Sequence, residues 1–398
     1  MQKKIIALAV VAAFSAPAFA DTTVYGLLDG AVASLSNTGQ RSQTLALSGG
    51  LASSRFGVKS AEDLGDGLTA VVNLEYSIDG QTNTGVGAGV TSANSTTANR
   101  QSLLGLAGSF GTVATGYLQT AGNDFAIKFD PTAGSVISPL QNLTAAKFSS
   151  NALGISDFLI GSKTQATRAP RAIAYISPDF NGFSFAVNYA TAITLTVPGT
   201  GGSTTVGADL GNLTKASSAV DGNISATLFA ANYTAGPLAV GGVYATTGNL
   251  TSSLDLKEYA LGASYDLGVA KVYGTYQSTH LNGAAGAAGN NDKIYSLSSV
   301  IPAGGAGNVV VSYAHASIGT DTTGNSDANS YTAGLLHPLS KTTTAYVAYS
   351  HAGNGTGSAA VSVDNSALGN NGVGSNGTQT ASLGASSNVV ALGLQKKF

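Results

Sequence analysis

The chain has 398 residues, only 10% of them charged, with 18 Lys and Arg against 20 Asp and Glu, a formal net charge of −2 and no cysteine. That balance leaves no electrostatic footprint for a nucleic-acid partner, and the missing cysteines exclude disulfides and thiol chemistry. Soluble domains carry roughly 25% charged residues, so a chain this poor in charge has reason to meet an apolar solvent over part of its surface.

At the start of the chain, Lys3 and Lys4 precede an apolar run from Ile5 to Phe14, and Ala18-Phe19-Ala20 supplies a small–x–small cleavage pattern. A signal peptide is therefore expected over residues 1–20, with the mature chain starting at Asp21. Its apolar run is shorter than the roughly 20 residues a spanning helix needs. Losing the two lysines leaves 16 basic against 20 acidic residues. Beyond residue 20 no apolar run is long enough for a membrane helix, so residues 21–398 are read as one unit.

That unit repeats one pattern: a stretch of period-two alternation, a tight Gly/Asx turn, a second such stretch, then a longer polar segment. In LTAVVNLEYSI, Leu68, Ala70, Val72, Leu74, Tyr76 and Ile78 share one face, and Thr69, Asn73, Glu75 and Ser77 the other. FSFAVNYA repeats this, with Phe183, Phe185, Val187 and Tyr189 opposite Ser184, Ala186 and Asn188. Strands are predicted at 23–36, 53–63, 68–78, 100–109, 112–119, 171–178, 183–191 and 223–234. Eight more follow at 238–246, 256–266, 269–280, 293–301, 308–317, 330–338, 342–351 and 388–398. Short connections such as LGDG (64–67), PDFNG (178–182) and DLGV (266–269) alternate with long small-residue segments, among them 80–99, 191–222 and 352–387. The longest interruption, 120–167, alone carries several phenylalanines and prolines.

An even number of antiparallel strands, each about ten residues long, with short turns at one end and long loops at the other, predicts an all-β, 16-stranded antiparallel transmembrane β-barrel. Short turns would lie in the periplasm and long loops outside the cell. Lipid cannot satisfy an open sheet edge, so the first and last strands must pair, and VVALGLQKKF, ending on Phe398, is the expected closing strand. A soluble β-sandwich or β-solenoid adhesin also uses Gly/Ser/Thr/Asn-rich strands, but it does not require the turn asymmetry or the strand length.

SRFGVKSAEDLGDGLTAVVNLE (54–75), NRQSLLGLAGSFGTVATG (99–116), RAIAYISPDFNGFSFAVNY (171–189) and KEYALGASYDLG (257–268) resemble the general diffusion porins of Gram-negative bacteria, in particular the β-proteobacterial type. So do LLHPLSKTTTAYVAYSHA (335–352) and the closing LGLQKKF. The resemblance spreads over every strand pair from Asp21 onward. It implies a homotrimer in outer-membrane lipid, a third long loop (about 120–167) folded inward to narrow the lumen, and a terminal aromatic, Phe398, that serves the barrel-assembly machinery. The implied function is passive diffusion of ions and small hydrophilic solutes. A substrate-specific channel, or a surface adhesin using the long loops, is the alternative.

Such a channel is not expected to be an enzyme, and no Ser/His/Asp grouping stands out. No cofactor is expected: GVGAGV (85–90) is not followed by a helix, and His280, His315, His337 and His351 lack metal-ligand spacing. Pore-lining candidates are charges that alternation turns inward. Arg55 and Lys59 share a face with Gly57, opposite Phe56 and Val58, and a cation on the lipid side would cost roughly 2–4 kcal/mol at mid-bilayer. Arg100 shares parity with Leu104 and Leu106, which points to the outer rim, and is carried as a further candidate. Arg168 and Arg171 lie where the long loop rejoins the barrel, and Asp124, Asp130 and Asp157 are the loop's carboxylates. In VATGYLQT, inward parity is assigned to Val113, Thr115, Tyr117 and Gln119. Members of the resembling family often carry basic residues at the positions of Thr115 and Tyr117, so a weakened transverse field and modest ion selectivity are expected.

Overall fold

The computed structural model describes residues 21–39, 41–81, 99–144, 158–162, 167–191, 195–199, 202–206, 225–251, 254–282, 290–319, 326–357, 363 and 383–398. The expected signal peptide, residues 1–20, lies outside them, as does Asp157. In chain order the first strands are β1 (Asp21–Asn37), β2 (Gln43–Ser48), β3 (Arg55–Gly65), β4 (Leu68–Ser77), β5 (Asn99–Gly108) and β6 (Gly111–Gln119). Two helices, α1 (Ala121–Phe129) and α2 (Pro139–Thr144), come next, then β7 (Arg168–Ile176) and β8 (Phe183–Ala190). A separate two-stranded hairpin, β9 (Leu195–Gly199) and β10 (Gly202–Val206), precedes β11 (Ser225–Ala235), β12 (Leu238–Thr251), β13 (Leu254–Asp266) and β14 (Lys271–Asn282). The chain closes with β15 (Asn290–Pro302), β16 (Asn308–Ser317), β17 (Ala328–Pro338), β18 (Thr343–Asn354) and β19 (Ser386–Lys397).

Among the described residues, seventeen strands join in one sheet. Because β2 and β3 both pair with β1, β2 along Gly30–Leu35 and β3 along Asp21–Leu27, they are two halves of one stave and the wall has sixteen. The ring closes where β1 pairs with β19 from Leu27↔Lys397 to Asn37↔Ser387. Phe398 extends that seam, its amide donating to the Gly26 carbonyl (3.1 Å) while the Gly26 amide donates to the Phe398 carbonyl (2.9 Å). Every one of the sixteen predicted strands is present. β2, the β9–β10 hairpin and the two helices are additions that the alternation pattern did not indicate.

Short turns use Asx chemistry: Gly65, Gly182 and Gly268 amides donate to the carboxylates of Asp63, Asp179 and Asp266. Asp66 and Asn181 take left-handed backbone there (φ 53° and 56°), a conformation that short Asx side chains tolerate.

The two faces of the wall follow from the ladder. Leu104, Ile173, Leu261, Leu297 and Leu392 are each more than half exposed and lie on the outer side, with a band of aromatics including Tyr259, Tyr276 and Tyr295 (ring centroids 5.9 and 5.2 Å apart). This is the apolar belt with interfacial rings that a barrel in lipid requires. Small residues dominate the inner side, yet they do not leave a bare wall. They seat the long loop. α1 packs Phe125 and Phe129 into Ala226, Leu228, Ala230, Val243, Leu256 and Ala260 of β11–β13. At Gly262 a Cβ would sit 2.6 Å from the Phe129 ring and 2.9 Å from that of Phe125, so any larger residue there would unseat the helix. On the neighbouring arc Leu140 and Leu143 of α2 are fully buried among Ala314, Ala316, Ala328, Ala348 and Ala352.

Helices of nine and six residues are too short to hold in water alone. Burial of these four large side chains, about 1.5–3 kcal/mol each, supplies what propensity cannot. Thr120 caps α1 by accepting the Asn123 amide, with Asp124 in the first turn and Lys128 in the last, both placed to suit the helix dipole.

Candidate pore constriction

Because the long loop covers the arc from β11 to β19 and the second half of β1, the inner face of β3–β7, with Tyr25 at the start of β1, is the part of the wall left to border an open lumen. There β3 places Arg55, Gly57 and Lys59 inward, with Gly57 registered against both Tyr25 of β1 and Glu75 of β4. Gly57 is needed: a Cβ would lie 2.4 Å from the Tyr25 ring. The Tyr25 hydroxyl is thereby brought to 2.9 Å from Asn73 Oδ1 and 3.1 Å from Glu75 Oε2. Lys59 stands over the Tyr25 ring at 6.0 Å and is exposed.

Glu75 is the hub. It is 9% exposed, accepts Arg100 Nε at 2.7 Å on Oε1 and faces Arg55 Nε at 3.6 Å on Oε2. Arg168 is close enough to both Glu75 and Arg100 to act on them electrostatically. From this hub a line of amides runs along the wall: Asn73 Nδ2 donates to Gln101 (2.7 Å), Gln101 to Gln119 (3.4 Å), and Gln119 to Asp124 on α1 (2.5 Å). Arg55, Lys59, Arg100 and Arg168 against Glu75 leave this wall with three net positive charges.

The position of Arg100 corrects the parity argument. Glu75 pairs with Gln101 but Tyr76 pairs with Asn99, so Arg100 is an extra residue in a β-bulge. A bulge breaks the alternation, and it swings Arg100 from the side of Leu104 to the side of Glu75. The β5–β6–β7 ladder also corrects the reading of VATGYLQT. Thr115 is registered against Leu104 and Ile173, and Val113 against Leu106 and Tyr175. Both therefore face outward, and Val113 is 44% exposed with those neighbours. Tyr117, opposite Ser102 on that same side of the β5 ladder, lies half-buried at the bulge between Gly116 and Leu118, near Arg168. The inward positions of the strand include Ala114 and Leu118, buried with Ala172 and Ala174 of β7, and at the strand's end the Gln119 side chain reaches Gln101 and Asp124.

Of the other candidates, Arg168 pairs in register with Gln119, at the inner end of the amide line. Arg171 sits exposed in the same bulge with left-handed backbone (φ 49°). Asp130 is structural: 2% exposed, it accepts the Thr132 amide (2.8 Å) and the hydroxyls of Thr132 and Ser138 (both 2.6 Å). Asp124 is half-buried on α1, and burial pushes its carboxyl up to about 6, against the opposing pull of the Gln119 hydrogen bond and the Arg168 charge. Glu75, Tyr25 and Gln101 were not named from sequence as site residues, whereas Gln119 was given inward parity. The signal for Glu75 was present, since it shares the inward face of β4 with Asn73.

A family model described as Gram-negative porin matches residues 7–358. The chain belongs to the Gram-negative porin family. This porin is 30% identical over 348 residues to outer membrane porin protein 32 of Delftia acidovorans, covering 87% of this chain and 88% of that one. It is 34% identical over 202 residues to the major outer membrane protein P.IB of Neisseria gonorrhoeae, 48% of each chain. Among solved structures it matches the anion-selective porin from Comamonas acidovorans with TM-score 0.69 and 25% identity over 96% of this chain and all of that one. An outer-membrane protein of Vibrio cholerae, 13% identical, shares the fold with TM-score 0.60 over 97% of this porin and 99% of that protein. The porin is thus a bacterial outer-membrane channel for passive diffusion of ions and small solutes, and its relatives are channels rather than enzymes.

Proposed function

We propose that this channel prefers anions and that the preference arises on the wall of β1 and β3–β7. The observation that carries it is the clustering of Arg55, Arg100 and Arg168 about the single carboxylate of Glu75, with Lys59 beside it. Fixed positive charge on a narrow wall raises the local anion concentration. The weak field expected from an uncharged Thr115 and Tyr117 does not follow, because the cations come from β3, β5 and β7 instead. The similarity to a porin whose name states anion selectivity supports the reading. Reversal potentials across planar bilayers in a KCl gradient test it: chloride should permeate several-fold better than potassium, and potassium preference would overturn it.

Asp124 should make the selectivity pH-dependent. Its carboxyl titrates near pH 6, so it is neutral at pH 5 and adds a negative charge to the loop side at pH 7. Anion preference is therefore expected to fall as pH rises through 6, and Asp124→Asn should remove that step while retaining the low-pH value.

The working unit in this proposal is a homotrimer in outer-membrane lipid. The exposed aliphatics Val24, Leu28, Val32, Leu392 and Leu394 on the outer face of β1 and β19 suit burial against a second copy. The mature chain begins at Asp21, the residue at which β1 starts, and N-terminal sequencing of membrane-extracted protein tests this.

A further inference from the structure

On the outer face, at the long-loop end of β13–β15, one pattern occurs twice. KEYAL (257–261) on β13 and KIYSL (293–297) on β15 each place a lysine, a tyrosine and a leucine on the outer side, stepping from the rim toward the middle of the wall. Leu261 and Leu297 are 58% and 66% exposed, and Tyr259 and Tyr295 44% and 45%. Between the two columns runs β14, with His280 registered against Lys257 and Ser278 against Lys293. The His280 ring is fixed by a 2.8 Å contact between its Nδ1 and Asn291 Oδ1, which leaves Nε2 as its other polar atom. The Tyr259 and Tyr276 hydroxyls meet at 3.5 Å below it.

These side chains line a concave cleft of about 320 Å³ that takes in Lys257, Lys293, His280, Tyr259 and Tyr276. That volume lies within the roughly 300–1,000 Å³ of small-ligand sites. Two lysines stand at the top of a lipid-facing wall, where no diffusing solute passes. Their order, ammonium over phenol over aliphatic, reproduces the order anionic head, interface and acyl chain in a lipid.

We propose that this cleft binds an outer-leaflet lipid through a phosphate-monoester headgroup. Lys257 and Lys293 would neutralise the phosphate, His280 Nε2 and the tyrosine hydroxyls would hydrogen-bond its polar head, and Leu261 and Leu297 would carry its chains. Charge-assisted contacts to phosphate from two ammonium groups, made where the acyl chains already lie against the wall, select an amphiphile over a free anion.

Native mass spectrometry of the detergent-solubilised mature protein tests this with bis-phosphorylated lipid A as the probe. The wild type should retain the lipid, and Lys257→Gln/Lys293→Gln should retain at least fivefold less. Lys341→Gln, in the short turn after β17, should behave as wild type. Unchanged conductance of the double variant would show that the barrel is folded. Equal retention by wild type and double variant overturns the proposal, and so does equal retention of dephosphorylated lipid A. Full displacement of the lipid by millimolar inorganic phosphate would also overturn it, by showing a site for free anions.

Discussion

Lys59→Glu/Arg168→Glu should convert the channel from anion-preferring to cation-preferring. The wall carries four cations and one carboxylate around Glu75, and reversing two of the cations takes its net charge from +3 to −1. Neither substitution touches the 2.7 Å Arg100–Glu75 bond or the Arg55–Glu75 pair, so the hub remains occupied. A unit charge about 7 Å from an ion is worth roughly 0.6 kcal/mol in bulk water. A swing of four charges, reduced about twofold by salt at ~0.1 M, is then on the order of 1 kcal/mol for each ion. Chloride loses about what potassium gains, so the permeability ratio should change by roughly thirty- to sixtyfold and the reversal potential should change sign. Raising the salt to ~1 M should shrink the shift, because the screening length falls to about 3 Å. A reversal potential that keeps its sign at low salt would place the selectivity elsewhere in the pore.

Which charges reach that wall was only partly legible in the sequence. Arg55 and Lys59 were, because β3 alternates without interruption across Phe56 and Val58 and lipid penalises a cation on the wrong face. Arg100 was not. A single extra residue on β5, opposite the Glu75–Tyr76 step, reverses which side a side chain takes, and nothing in NRQSLL distinguishes a bulged strand from a regular one. In VATGYLQT the fault lay in the parity itself, because Val113 and Thr115 sit in a regular ladder opposite the outward Leu106, Leu104 and Ile173. The sixteen staves were legible for the opposite reason: the lipid face imposes its alternation on every strand, and small local faults do not erase it.

The long loop shows a different limit. Its phenylalanines were visible, and Phe125 and Phe129 stand four apart with Thr120 ahead of them, a spacing that suits one helix face. In isolation that signal is weak, because a nine-residue helix forms only where a partner surface exists. The partner is the row of Ala and Gly on the inner wall, which alternation could place but could not assign to a task. Fold and site depend on each other here: small residues on β11–β18 admit the helices, and the helices leave the basic arc of β3–β7 beside the open lumen.

The seam of the barrel should be the most sensitive point in the molecule, and Asp29→Ala is expected to destabilise it by about 3–5 kcal/mol, because several buried donors lose their acceptor at about 1–3 kcal/mol each. Asp29 on β1 is 2% exposed and receives five donors. The Gly50, Leu51 and Ala52 amides lie at 3.1, 2.9 and 3.0 Å, the Tyr346 hydroxyl of β18 at 2.6 Å and Gln395 Nε2 of β19 at 3.1 Å. The break between β2 and β3 exists to bring those amides inward. One carboxylate therefore ties the first strand to the last two and to the wall insertion at 49–54. The Gly50 carbonyl in turn accepts the Val136 amide of the long loop at 3.1 Å, so loosening the seam should also raise the open-channel current noise. Asp29→Asn should be nearly as harmful as Ala despite its matching shape, because its amide nitrogen would face donors already in place. Tyr346→Phe removes one bond to a charged group and should cost about 1.5–3 kcal/mol. Urea titration of the folded, heat-modifiable band on gels ranks the three variants. If Asp29→Asn unfolds with the wild type, acceptor capacity is not what holds the seam.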